Sequence, residues 1–196
     1  MEMFVVNLGD MFYDGTHLHH ALAYEHSRVL GPSICYGIGP AEVKEHLVDL
    51  EDSLDDDFIR SEKMAHFIIE IPGADIRETV VWQRLFIRQI AKRIQDNLSD
   101  PGPSYLSFDI HGDDIMIENQ KLSVSISTLS RFSGLIHVGI NIHVGDGCPV
   151  SAIGLADLGA LNNYTNESDW AERVSRMFAD EFQDIVNATY KVIEVN

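Results

Sequence analysis

Cysteine, basic charge and long apolar runs are all scarce in this chain, and each shortage removes a class of protein. The 196 residues include only Cys35 and Cys148, far apart and without CxxC spacing. Neither a disulfide framework nor a cysteine zinc site is signalled. Lysine and arginine total 14 against 31 aspartates and glutamates, a formal charge of −17 with a pI near 4.7. A surface of that sign repels phosphate backbones and anionic lipid heads, and no cluster of Lys and Arg interrupts it. Nucleic acid and membrane are therefore not expected as partners. No stretch approaches the ~20 apolar residues of a bilayer span. The opening MEMFVVNLGD has neither the basic region nor the apolar run of a secretory signal, so a cytoplasmic location is expected. Repeats are absent, and the one sharp breaker, Ser99-Asp100-Pro101-Gly102-Pro103, is too short for a linker. Residues 1–196 are expected to form a single domain, with 45% hydrophobic residues to build its core.

Periodicity supplies the elements. Over residues 75–98 the apolar positions Ile76, Val80, Ile87, Ile90, Ile94 and Leu98 recur at helical spacing. Asp75 followed by Glu78 has the form of a capping box. A second stripe, Trp170, Val174, Met177, Phe178, Phe182 and Ile185, predicts a helix over 167–188, and a weaker helix is expected over 17–30. Strands alternate instead. Leu122, Val124 and Ile126 point one way and Ser123 and Ser125 the other. In 135–144 the even residues are apolar, and the odd face carries His137, Gly139, Asn141 and His143. Residues 64–71 place Ala65, Phe67, Ile69 and Ile71 inward, with His66 and Glu70 opposite. Residues 105–110 and 114–118 flank a His111-Gly112-Asp113 turn. Helices gathered around a mainly antiparallel sheet make the fold class α+β.

The loop between 129 and 134 is short enough for a hairpin. With odd residues paired to odd ones, Lys121, Ser123, Ser125, His137, Gly139 and Asn141 share one sheet face. Small residues leave room there, and Lys121 and Asn141 offer hydrogen bonds, which suits a pocket floor for an anionic or carbonyl-bearing ligand. The same alternation also describes the wet side of a half-exposed sheet. Asp49, Glu51 and Asp52 are hard carboxylates of the kind that hold Mg²⁺ beside a nucleotide, or simply a solvated charge run. Arg84 interrupts an apolar stripe and is expected to pair with one of those acids. His17, His19, His20 and His26 form no HExxH or i,i+4 pair, so no metal site is expected. Neither cysteine has a basic neighbour in sequence that would make it a nucleophile.

Longer words in the chain carry more. Lys121-Leu122-Ser123-Val124-Ser125-Ile126, followed by Ile136-His137-Val138-Gly139-Ile140-Asn141-Ile142, resembles the catalytic-domain signature of biotin and lipoate protein ligases. The fuller match is to the uncharacterised, largely prokaryotic family called domain of unknown function 366. Its hallmarks Tyr13-Asp14-Gly15, Val48-Asp49-Leu50-Glu51-Asp52, Ala65-His66-Phe67-Ile68-Ile69-Glu70, Gln83-Arg84-Leu85 and Gly154-Leu155-Ala156-Asp157-Leu158-Gly159 stand in order along the chain. The resemblance implies a biotin/lipoate-ligase-like domain, related to class II aminoacyl-tRNA synthetase cores. It also implies that Lys121 contacts the acyl carbonyl and phosphate of an acyl-adenylate, and that His66 stands where the lipoate branch places a histidine. The ligases' arginine- and glycine-rich adenylate loop has no counterpart between Ser33 and Pro72, where Gly37-Ile38-Gly39-Pro40 is short and lacks arginine.

Two functions stay open. One is an acyl- or cofactor-handling ligase or transferase, with Lys121 and His66 catalytic and Ser123, Ser125, His137, Gly139, Asn141, Asp49 and Arg84 binding the ligand. The other is a non-catalytic small-molecule binding protein that kept the pocket and lost the adenylate loop. The loop's absence argues against ATP and Mg²⁺ as cofactors, and the retained lysine argues for catalysis. A homodimer through exposed strand edges is a third, structural reading.

Overall fold

The computed structural model describes residues 2–54, 57–98 and 106–195, without the side chains of Glu51 and Asp52. The 99–103 breaker lies outside the described residues, as does Tyr105 at the start of one predicted strand. In chain order the elements are β1 (Phe4–Asp10), α1 (Leu22–Ser27), β2 (Ser33–Val43), α2 (Leu50–Leu54), β3 (Ile59–Pro72) and α3 (Ile76–Leu98). Then come β4 (Phe108–His111), β5 (Asp114–Ile117), β6 (Gln120–Lys121), β7 (Ser123–Leu129), β8 (Ser133–His143) and α4 (Glu167–Thr189). A five-stranded sheet runs β1-β2-β3-β8-β7, and a small one runs β4-β5-β6. Among the paired strands of the described residues, only β1 and β2 run parallel. The class is α+β, as the alternation implied.

Both long helices start where a side chain satisfies a free amide. Asp75 accepts from Glu78 N at 2.8 Å, but Glu78 does not close the box, since its carboxylate accepts from Trp82 Nε1 at 3.2 Å. Asn166 caps α4 by accepting from Asp169 N at 2.9 Å. Their stripes pack on one sheet face, where Trp82, Phe86, Ile90, Trp170 and Phe178 meet Phe67, Ile136 and Val138. Phe86 and Phe178 lie 4.7 Å apart between ring centroids. Burial of this kind contributes about 1.5–3 kcal/mol per large apolar side chain and is the main force fixing the fold.

The opposite face is not a wet one. The stretch after β1 lies down on the sheet, with Met11 N bonded to Ile38 O and Tyr13 N to Pro40 O, both at 2.9 Å. That approach needs glycine: a Cβ at Gly39 would stand 1.8 Å from the Met11 carbonyl oxygen. Beneath the stretch sit Met64, Ile68, Cys35 and Val43 in a second apolar cluster with Tyr13 and Leu22. The expected 17–30 helix shrinks to the six residues of α1. The backbone before it is held by tertiary contacts, with Ala21 N donating to Glu70 Oε2 at 2.9 Å.

Register corrects the expected polar face. Leu129 pairs with Gly134, and four residues stand between them, so odd residues of β7 face even residues of β8. Ser125 pairs with Val138, Val124 with Gly139 and Ile126 with His137. Ser123, Ser125 and Ser127 therefore lie on the helix-facing side, while His137, Gly139 and Asn141 share their face with Val124 and Ile126.

Candidate functional site

On that second face, at the end of the sheet where β6, β7 and β8 meet, is a cavity of about 420 Å³. Its floor is polar and buried. Tyr13, His137 and Asn141 are 3%, 2% and 5% exposed and all line it. Val43, Leu47, Ile59, Met64, Val124 and Ile126 supply apolar walls. A concave chamber that joins apolar walls to a few convergent polar groups is the usual form of a small-molecule site.

Hydrogen bonds determine the state of the histidines. His66 Nε2 lies 3.2 Å from the Gly39 carbonyl, which only accepts, so Nε2 carries the proton. The bare His66 Nδ1 then accepts from His137 Nε2 at 3.2 Å. His137 Nδ1 is left without a proton and without a partner among the described residues. Burial keeps both rings neutral: it pushes His66 down to about 4 and His137 well below the usual range. Tyr13 covers them, its ring 3.8 Å from His137 and 5.0 Å from His66 between centroids. Burial, with Asp14 nearby, pushes the Tyr13 phenol up, so its hydroxyl stays a neutral donor.

Lys121 stands at the cavity's edge because its backbone joins three segments. Its N–H donates to Ser151 O, its carbonyl accepts from Ile153 N, and Asn141 Nδ2 reaches the same carbonyl at 3.3 Å. The ammonium is 3.0 Å from Asp114 Oδ2, each side chain about a third exposed. Burial pushes the Asp114 carboxyl up, against the downward pull of Lys121. Neighbouring Asp113 is occupied by Gln83 at 2.9 Å, Ser125 Oγ at 2.8 Å and Arg84 at 3.4 Å.

The structure thus brings Lys121, His137, Asn141, Asp49 and Ser125 to one cavity, although Ser125 reaches it from edge strand β7 rather than from the shared face. His66 lies behind His137. Gly139 lies under Met64, whose Cε would be 2.8 Å from an added Cβ. Ser123 is fully buried and accepts from Ile115 N at 2.8 Å, which makes it a joint between the sheets. Arg84 lies 3.4 Å from Asp113, an acid outside the 49–52 run with which it was expected to pair. The side chains of Glu51 and Asp52 lie outside the described residues. His20 turns away to Glu70, and His19 lies 3.7 Å from Glu25. Among the described residues no group of three or more His, Cys, Asp or Glu is placed to hold a metal. Sequence reasoning missed Tyr13, Asp113 and Asp114. The only signal for Tyr13 was its Tyr-Asp-Gly word, while Asp113 passed as a turn residue and Asp114 as the start of a strand.

A family model described as "Domain of unknown function (DUF366)" matches residues 1–193. An uncharacterized protein of Methanocaldococcus jannaschii, MJ0805, is 30% identical over 177 residues, covering 82% of this chain and 77% of that one. A solved protein of unknown function from Pyrococcus horikoshi superposes with a TM-score of 0.84 at 29% identity, covering 99% of this chain and 100% of that one. A biotin protein ligase from Leishmania major, solved with biotin, has a TM-score of 0.61 at 11% identity over 90% of this chain and 73% of its own. At that identity the likeness is one of fold.

Proposed function

The chain belongs to the DUF366 family and has a biotin/lipoate-ligase-like fold, and from that premise we propose that it is an acyl- or cofactor-handling ligase or transferase. Its site is the cavity over Tyr13, His137 and Asn141, and it works as one domain in the cytoplasm on a small molecule. The observation that carries this is Lys121: one ammonium at the rim of a 420 Å³ chamber, within 3.0 Å of a single carboxylate. A carbonyl oxygen entering from the cavity competes with Asp114 for that ammonium. A compact cation favours the charge that grows on such an oxygen during acyl transfer. Asn141 and Tyr13 orient the ligand, and His66 fixes the tautomer of His137 rather than touching the ligand.

A second reading, a binding protein without catalysis, is favoured by two observations. Lys121 is already neutralised by Asp114, and the segment between β2 and β3 carries no arginine- and glycine-rich loop. The two separate in one experiment. Thermal shift with ATP, biotin, lipoate, octanoate and amino acids finds ligands, since a ligand at 100 times its dissociation constant adds ~2.7 kcal/mol. Pyrophosphate exchange into ATP and transfer from acyl thioesters then test chemistry. Turnover that is lost in Lys121→Ala supports the enzyme; tight binding with no turnover of any acyl donor supports the binder.

A further inference from the structure

We propose that the cavity takes an uncharged, amide-like head group and rejects the corresponding carboxylate, with Asp114 setting that preference by occupying Lys121. This rests on the cavity being a ligand site, as proposed above, and it goes on to name the chemical class.

The floor offers hydrogen bonds but no charge. Following the chain Gly39 carbonyl, His66, His137, each neutral ring fixes the next, and it ends on a bare His137 Nδ1 acceptor. Asn141 spends its amide N–H on the Lys121 carbonyl, and its Oδ1 has no partner among the described residues. The Tyr13 hydroxyl has none either. Among the described residues, the sealed polar atoms that lack a partner are His17 Nδ1, Gln89 Oε1 and Trp170 Nε1. The unpaired groups of Tyr13, His137 and Asn141 are therefore not sealed, and these three side chains line the cavity. Together they are one neutral donor and two acceptors, complementary to a group with both an N–H and a C=O. A carboxylate has no N–H to give them.

The charge around the floor points the same way. Asp49, Asp57, Asp113 and Asp114 line the cavity against Arg60 and Lys121. Lys121 is held by Asp114 at 3.0 Å. An entering anion meets more carboxylates than cations in that lining and finds Lys121 already paired. Like charges brought together across a site discriminate against the wrong ligand.

The test uses matched probes of one scaffold, octanoate, octanamide and octylamine, then benzoate, benzamide and benzylamine. Each is titrated at pH 7 and followed by ligand-observed NMR, with the Asn141 side-chain amide signal locating the site. Wild type should bind the amides roughly tenfold more tightly than the carboxylates, a difference of about 1.4 kcal/mol. Asp114→Asn frees Lys121 and should raise carboxylate affinity roughly tenfold while leaving amide affinity near its wild-type value. Lys121→Met serves if Asp114→Asn does not fold, and should widen the amide preference instead. Carboxylates or amines that bind wild type as tightly as the amides overturn the inference but leave the ligand site standing. So does an Asp114→Asn protein with an unchanged ratio. If no probe moves the Asn141 signal, the inference and the site both fall.

Discussion

Acidification from pH 7.5 to pH 5 should destabilise this protein through its two buried histidines before most of its surface acids titrate. In the folded state His66 is pushed to about 4, against an ordinary 6.5. A histidine whose folded value is depressed contributes stability that is fully present above about 6.5 and is lost as pH falls towards the folded value. At pH 5 the unfolded imidazole is nearly all protonated and the folded one nearly all neutral, so His66 alone removes about 2 kcal/mol. His137 shifts in the same direction for the same cause, so it adds a loss of the same sign, coupled to that of His66 rather than separable from it. Acids with lowered values, such as Glu167 and Asp169, add a loss in the same direction, but chiefly below their ordinary 4.5 and 3.8. Urea unfolding at pH 7.5, 6.5, 5.5 and 5 measures the slope. His66→Gln keeps a donor for Gly39 and an acceptor for His137 and should remove the His66 contribution from it. A flat profile between pH 7.5 and 5, or an unchanged slope in His66→Gln, would refute the reasoning.

Other perturbations have equally definite outcomes. Gly39→Ala forces a Cβ to within 1.8 Å of the Met11 carbonyl and should destabilise by roughly 3 kcal/mol or more, with loss of the Tyr13–His137 stack. Phe178→Ala should cost about 3–5 kcal/mol in chemical denaturation, since the ring is fully buried against Phe86 and Trp82. One thiol should react quickly with Ellman's reagent in the native protein. Cys148 lines the cavity, whereas Cys35 is buried and its thiol is pushed up to about 12, so it should react only on unfolding.

The sequence made α3, α4, β8 and the helix-facing half of β3 legible, because each turns one regular face to a single core. Strands β1 and β2 were not legible. Ser33 to Gly39 in β2 is buried throughout, so no alternation marks it. The site was half legible: Lys121, His137 and Asn141 stood out as polar residues on apolar strands. Their partners did not, because hairpin parity depends on whether the loop between 129 and 134 leaves an even or odd number of residues unpaired. Tyr13 comes to the floor only through the close approach that Gly39 permits, a long-range contact that no local pattern records. Asp114 looked like an ordinary first residue of a strand until the β4–β5 hairpin laid it beside Lys121.

The central claim is that a small molecule sits over Tyr13, His137 and Asn141 beside Lys121. Side-chain and backbone chemical-shift mapping during titration with octanamide tests it most directly. The account predicts that Tyr13, Lys121, Val124, His137 and Asn141 shift together along one saturating curve, with the α3–α4 surface around Arg93 and Arg173 unchanged. Shifts confined to that helix surface, or none at millimolar ligand, would contradict it.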